Sequence, residues 1–229
     1  MPDPGFGGDA DREVLWVSDE RLPDLGGLWC RLYGERERTG LYPLLLDTLH
    51  GDPERPWHAG ELGYTPVEEI DALDAGETLQ ELLAEHEREL WTGLAAPGVE
   101  VEGPDACAEM VAEAFAERSR WLLGLVPAAR GADALSLAGW GGPCNHTGTA
   151  MISAVVRSWE ERFGTRVVAV GFDVLELSVG APPMTLEHAR AVAVEHLAFC
   201  PDNIWQGVGD IGKYAERLVD CPRWGFWWD

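Results

Sequence analysis

The sequence predicts an α+β fold, and three observations carry that prediction. Short apolar runs of strand length at residues 14–17, 41–46, 121–126 and 167–170 are interleaved, without strict alternation, with longer stretches of helical periodicity. Residues 174–179 alternate apolar and polar side chains with period two. The chain then closes on Trp224-Gly225-Phe226-Trp227-Trp228-Asp229. Each such ring buries about 150–250 Å² when packed, and a frayed end would leave them all in water. The tail therefore reads as a closing strand or docked segment. A chain of 229 residues with 11 Trp and 46% hydrophobic residues has the material for a full core, which excludes a disordered protein.

The first half opens with the apolar run at 14–17. Leu28, Trp29, Leu32 and Tyr33 then fall at helical spacing within residues 25–38, followed by the strand-like run at 41–46. A loop rich in Gly, Pro and His covers residues 50–64. Thr65-Pro66-Val67-Glu68 and Thr78-Leu79-Gln80-Glu81 both have the pattern of a capping box, the first with Pro at the first helical position. Leu79, Leu82, Leu83, His86 and Leu90 would share one face of the helix that follows the second box. After a Gly/Pro loop at 92–104, a helix beginning at Asp105 is expected to bury Cys107, Met110, Val111, Ala114 and Phe115.

In the second half the run at 121–126 reads as a buried strand ended by Pro127. A glycine-rich loop around Trp140-Gly141-Gly142-Pro143 leads to Asn145-His146-Thr147. Ile152, Val155, Val156, Trp159 and Phe163 then define an amphipathic helix, with Gly164 placed to end it. The strand at 167–170, a turn at Gly171-Phe172-Asp173 and the strand at 174–179, with Glu176 and Ser178 toward solvent, come next. Thr185 caps a helix through Phe199, and a further helix spans about 210–220 with Ile211, Tyr214, Ala215, Leu218 and Val219 inward. Apart from that last helix the order is βαββαβ, which suits a ferredoxin-like sandwich with its helices on one face. Two regions are expected: an acidic α+β region at 1–120, mixed and carrying acidic helices, and a compact unit at 121–229, the two being able to pack together. The helix-then-strand pairs at 25–46 and 151–170 are loosely alike, and no short-period repeat is present.

Charge narrows the function classes. Residues 1–120 carry 28 carboxylates against 9 arginines, a net of −19 out of the whole chain's −23. Nucleic acid is excluded as a direct partner, because phosphate backbones need a basic footprint; an acidic half instead suits a basic protein partner. The tryptophans accordingly read as core and not as a stacking platform. No apolar run reaches the length of a membrane helix, and residues 1–9 have neither a positive nor an apolar region of a secretory signal. Gly5-Phe6-Gly7-Gly8 reads as a flexible start and not as a phosphate loop. Five cysteines without a CxxC pair read as reduced thiols, so a cytoplasmic location is the default. Arg outnumbers Lys sixteen to one, with Lys213 alone, as GC-rich codon usage produces.

The second half resembles a known family. The stretches that carry the likeness are Gly139-Trp140-Gly141 with Asn145-His146, Ser158-Trp159-Glu160 with Arg162-Phe163-Gly164, Glu195-His196 with Phe199-Cys200-Pro201-Asp202-Asn203, and Phe226-Trp227-Trp228-Asp229. Over roughly residues 120–229 they are similar to the bacterial domain of unknown function 4253. The resemblance implies a bacterial cytosolic protein and brings no activity with it.

No P-loop, dinucleotide fingerprint, GxSxG elbow or HExxH is present, so whether the chain is an enzyme stays open. The residues that could form a pocket are Trp140, Asn145, His146, His196, Cys200, Asp202, Asn203 and Trp205. If their loops meet, His146 could act as a base oriented by Asp202, or Cys200 as a nucleophile activated by His196 or His146. The same Asn and Asp residues could equally hold turns by bonding nearby backbone. Cys144, His146, His196 and Cys200 offer the atoms for a zinc site but not its usual spacing, so no metal and no cofactor is expected. The favoured expectation is a protein-binding module of immunity or regulatory type that uses an acidic surface. The alternative is a small hydrolase built on the His/Cys/Asp pocket.

Overall fold

The structure, a computed structural model, describes residues 14–50, 52–117 and 121–229. The run at Gly5-Phe6-Gly7-Gly8 lies outside them. In chain order the elements are β1 (Trp16–Val17), α1 (Leu25–Gly34), α2 (Arg36–Thr39), β2 (Tyr42–Leu46), α3 (Val67–Asp71), α4 (Ala75–Leu82), a 3₁₀ turn (Glu85–Leu90) and α5 (Pro104–Ala116). The second half adds β3 (Leu122–Val126), α6 (Gly131–Leu137), α7 (Thr149–Phe163), β4 (Thr165–Val170), β5 (Val174–Val179), α8 (Leu186–Phe199), a π turn (Asn203–Val208), α9 (Ile211–Leu218) and β6 (Arg223–Trp227). The α+β class is what forms, and the aromatic tail is a strand.

One mixed sheet of order β1-β3-β2-β4-β5-β6 organises the molecule. This differs from the ferredoxin-like arrangement expected for the second half. β2, from the first half, lies between β3 and β4, antiparallel to the former and parallel to the latter. All five residues of β2 are buried, so it needs a strand on each side and cover on each face, and only the sheet centre supplies both. The strands of the two loosely similar helix–strand pairs, β2 and β4, thus become central parallel neighbours.

The helices cover both faces of the sheet. Arg166, Ser178 and Arg223 are aligned across β4, β5 and β6. They face α5, where Asp105 accepts from Arg166 Nε at 3.1 Å and the Phe115 ring lies under the Arg223 guanidinium. Val167, Leu177 and Trp224 point the other way, toward α7, where Trp159 meets Trp224 edge-on with ring centroids 5.4 Å apart. Ser178 is consequently buried and does not face solvent as its alternation suggested.

Most local signals hold. Thr185 accepts from the His188 N–H to cap α8, Asp210 caps α9 through Lys213 N–H, and Gly164, at φ 58°, ends α7 in the left-handed region. Neither Thr capping box forms. Thr65 makes no cap bond to α3, and α4 starts a turn before Thr78, where Asp74 accepts from Glu77 N–H at 2.9 Å. Asp74-Ala75-Gly76-Glu77 is the earlier of two overlapping signals, and it leaves Thr78 buried inside the helix. Leu83 is extended at ψ 133°, so Leu79 and Leu83 are buried while His86 and Leu90 are exposed. On α5 the inward stripe is Cys107, Ala108, Val111, Ala112 and Phe115, with Met110 and Ala114 outside. Small residues win that face because α1 approaches closely there: a Cβ on Gly26 would lie 3.2 Å from Glu113 Cα.

Candidate functional site

The segment that follows α8 holds four of the eight pocket candidates, and it meets the outer edge of β6. Asn203, nearly buried, donates from Nδ2 to Gly225 O at 2.7 Å and accepts at Oδ1 from Trp227 N–H at 3.2 Å. Its carboxamide therefore pairs with the edge of β6 as a peptide group of a parallel strand would. The Cys200 thiol donates to Trp227 O at 3.0 Å. Asp202 Oδ2 accepts from Asp229 N–H at 3.1 Å, and Asn145 Nδ2 donates to Asp229 O at 3.2 Å. Exposed strand edges invite pairing with other chains; here side chains occupy the edge and pin the last residue from two sides.

The other candidates fall around this clamp. Trp140 is buried, donates from Nε1 to Gly171 O at 2.7 Å and packs edge-on against Trp228. His146 Nε2 lies 2.9 Å from Ala198 O near the end of α8. Trp205 is half exposed and donates to Glu87 Oε1 at 2.8 Å. The Asn145 and Asp202 loops do meet, at Asp229, yet the carboxylate of Asp202 is engaged by Gln206 and Asp229 and not by an imidazole. Cys144 is exposed while Cys200 is fully buried, and among the described residues no group of three His, Cys, Asp or Glu side chains is placed to hold a metal ion.

His196 has no exposed surface and sits among the rings of Trp159, Trp224, Phe226 and Tyr214, with centroids 4.6–5.8 Å away. Tyr214 accepts from Asn203 Nδ2 at 3.2 Å, so its own proton is available to His196 Nδ1 at 3.0 Å. His196 Nε2 has no hydrogen-bond partner among the described residues. Desolvation pushes this imidazole down to about 3 and the Cys200 thiol up to about 12. Near neutral pH both groups are uncharged and sealed in, a poor arrangement for a nucleophile and its base.

Beside His196, Glu195 is also fully buried and accepts four hydrogen bonds. Oε1 takes Ala95 N–H at 2.6 Å and Arg162 Nη1 at 2.8 Å; Oε2 takes Trp159 Nε1 at 2.6 Å and Arg162 Nη2 at 2.7 Å. Arg162 also donates to Ala95 O at 2.9 Å. This ion pair ties the strap at residues 95–101, which further bonds Arg162 O and Gly180 O, onto the second half. Trp159, Arg162 and Glu195 all belong to the stretches that carried the family likeness, but their joint role was not legible until α7 and α8 were side by side.

Two surface features lie apart from this clamp. Residues 68–89, spanning α3, α4 and the 3₁₀ turn, hold nine carboxylates against Arg88 alone, and all nine except Glu87 are exposed. Leu73, Leu90, Leu94 and Trp205 are exposed on or next to this face; Leu94 lies against Gly76 of α4, and Trp205 is anchored to Glu87. On another part of the molecule, Arg36, Arg130 and Arg166 line a cleft with Glu160. No local pattern in the sequence links these four residues.

Residues 122–229 match the family model described as Domain of unknown function (DUF4253). No curated protein matches the chain, and no solved structure does. Among the described residues no helix is long and apolar enough to cross a membrane.

Proposed function

We propose that this chain, whose second half belongs to the family of the domain of unknown function 4253, is a binding module that captures a basic protein partner on the face formed by α3, α4 and the 3₁₀ turn. The observation that carries the reading is the charge of that face, nine carboxylates against one arginine within residues 68–89. The net charge of −23 would draw a basic partner in from solution, and like charges would reject acidic competitors. Leu73, Leu90, Leu94 and Trp205 supply the apolar area that a charged rim needs at its centre to hold what it attracts. An immunity or regulatory role, in which a toxic or active basic protein is occluded, fits such a surface, and a cytoplasmic setting fits the unpaired cysteines.

The test is co-purification from the native host, comparing the natural chain with a variant in which Glu68, Glu69, Glu77, Glu81 and Glu85 are all Gln. One basic protein in stoichiometric amount, released by high salt and not retained by the variant, is the expected result. A partner retained equally by the variant, or no salt-released partner at all, would sink the proposal.

A further inference from the structure

At the starts of β2 and β4, beside the loop from β3 into α6, lies a cleft of about 270 Å³ lined by Arg36, Tyr42, Arg130, Glu160 and Arg166. Three of the chain's 17 cationic side chains meet there, from three separate elements. Arg36 is fixed by Tyr33 O at 2.9 Å and Asp105 Oδ2 at 2.6 Å; Arg166 is fixed by Asp105 Oδ1 at 3.1 Å and Thr165 O at 2.8 Å. Those bonds leave Arg36 Nε and Arg166 Nη2 without a hydrogen-bond partner among the described residues. Arg130 is freer still. It is ion-paired with Glu160 and Glu161, but at 3.7 Å each, beyond hydrogen-bond range, so its N–H groups remain open to a ligand.

We infer that this cleft binds a small tetrahedral oxyanion, a phosphate or a phosphomonoester, between Arg36, Arg130 and Arg166. A planar carboxylate is satisfied by one guanidinium fork, whereas the Arg130 fork together with the remaining N–H groups of Arg36 and Arg166, arriving from different directions, matches the several acceptors of a tetrahedral anion. Glu160 is the proton-bearing neighbour. Its side chain is 8% exposed, and Oε1 accepts from Ala132 N–H at 3.0 Å while Oε2 faces Arg130. Burial pushes its carboxyl up to about 7, against the pull of Arg130 and Arg166 and with a push from Asp133 on α6. Glu161 on α7 and Glu37 on α2 face the same cleft, and the hydroxyl of Tyr42 on β2 is committed to Val167 O. Protonated, Glu160 offers a hydrogen to the anion; ionised, it repels it. Binding therefore weakens as pH rises through 7.

The experiment is titration calorimetry of the full chain with sodium sulfate, whose charge is constant between pH 6 and 8, beside inorganic phosphate and glycerol phosphate. Saturable one-to-one binding is expected, about tenfold weaker at pH 8 than at pH 6. Arg130→Gln should weaken it about tenfold without shifting the melting temperature, and Glu160→Gln should remove the pH dependence for sulfate. Preference for glycerol phosphate would assign the site to an esterified phosphate, and preference for inorganic phosphate to the free ion. Absence of saturation with all three anions, or unchanged affinity in Arg130→Gln, would overturn the inference.

Discussion

Replacing Glu195 by Gln is the most searching test of how the first half is fastened to the second. Glu195 has no exposed surface, and each of its oxygens accepts two bonds, one from Arg162 and one from a neutral N–H. Glutamine keeps the shape but turns one acceptor into a donor. Whichever way the amide is rotated, its NH₂ faces an arginine N–H together with either Ala95 N–H or Trp159 Nε1. Arg162, only 12% exposed, loses its counter-charge at the same time. Breaking one side of a buried ion pair destabilises by about 3–5 kcal/mol, a large share of the roughly 5–15 kcal/mol a domain has in total. Urea unfolding followed by tryptophan fluorescence, for Glu195→Gln, Arg162→Met and the double variant, measures the effect and gives a coupling energy. Because Ala95 is anchored through the same carboxylate, cleavage within residues 92–103 under limited proteolysis should accelerate in the single variants. Single-variant losses below about 1 kcal/mol that simply add in the double variant would refute the reasoning.

Two further outcomes follow from the closing strand and its surroundings. Removal of residues 224–229 strips Trp224, Phe226 and Trp228, all buried, from the core; at about 25 cal/mol per Å² and about 150–250 Å² per ring the loss is on the order of 10 kcal/mol. The truncated chain should show no cooperative thermal transition by circular dichroism, and a melt within a few degrees of the full chain would contradict the packing. His196 imposes an acid limit. Its folded value, pushed down by burial to about 3, lies below the ordinary histidine value of 6.5, so the unfolded chain takes the proton first and this stabilising contribution, complete above 6.5, is lost progressively as pH falls from 6.5 toward 3. About 2 kcal/mol should be gone by pH 5, measured as the difference between the natural chain and His196→Gln in denaturant titrations; parallel pH profiles would rule it out.

The determinants of this fold act over two ranges, within a few residues and across the whole chain. Helix α7, with Ile152, Val155, Val156, Trp159 and Phe163 inward and Gly164 at its end, was legible because side-chain periodicity and termination act within a few residues. The same holds for the Thr185 and Asp210 caps and for the closing strand, whose rings leave it no stable place in water. Sheet order was not legible. Nothing near residues 42–46 says that they will divide β3 from β4; that follows from burying both faces of β2 at once, which depends on helices far away in the chain. Ser178 shows the consequence at one position, polar by local pattern yet covered because α5 lies over that face. For the candidate site the residue types were readable and their task was not. Asn145, Cys200, Asp202 and Asn203 stood out as polar groups in loops, and only the open edge of β6 made them a clamp. Arg36, Arg130 and Arg166 left no trace at all, since a cleft of converging arginines is a product of long-range packing, and hydrogen-bonding preference along the chain carries no information about which distant cation will arrive.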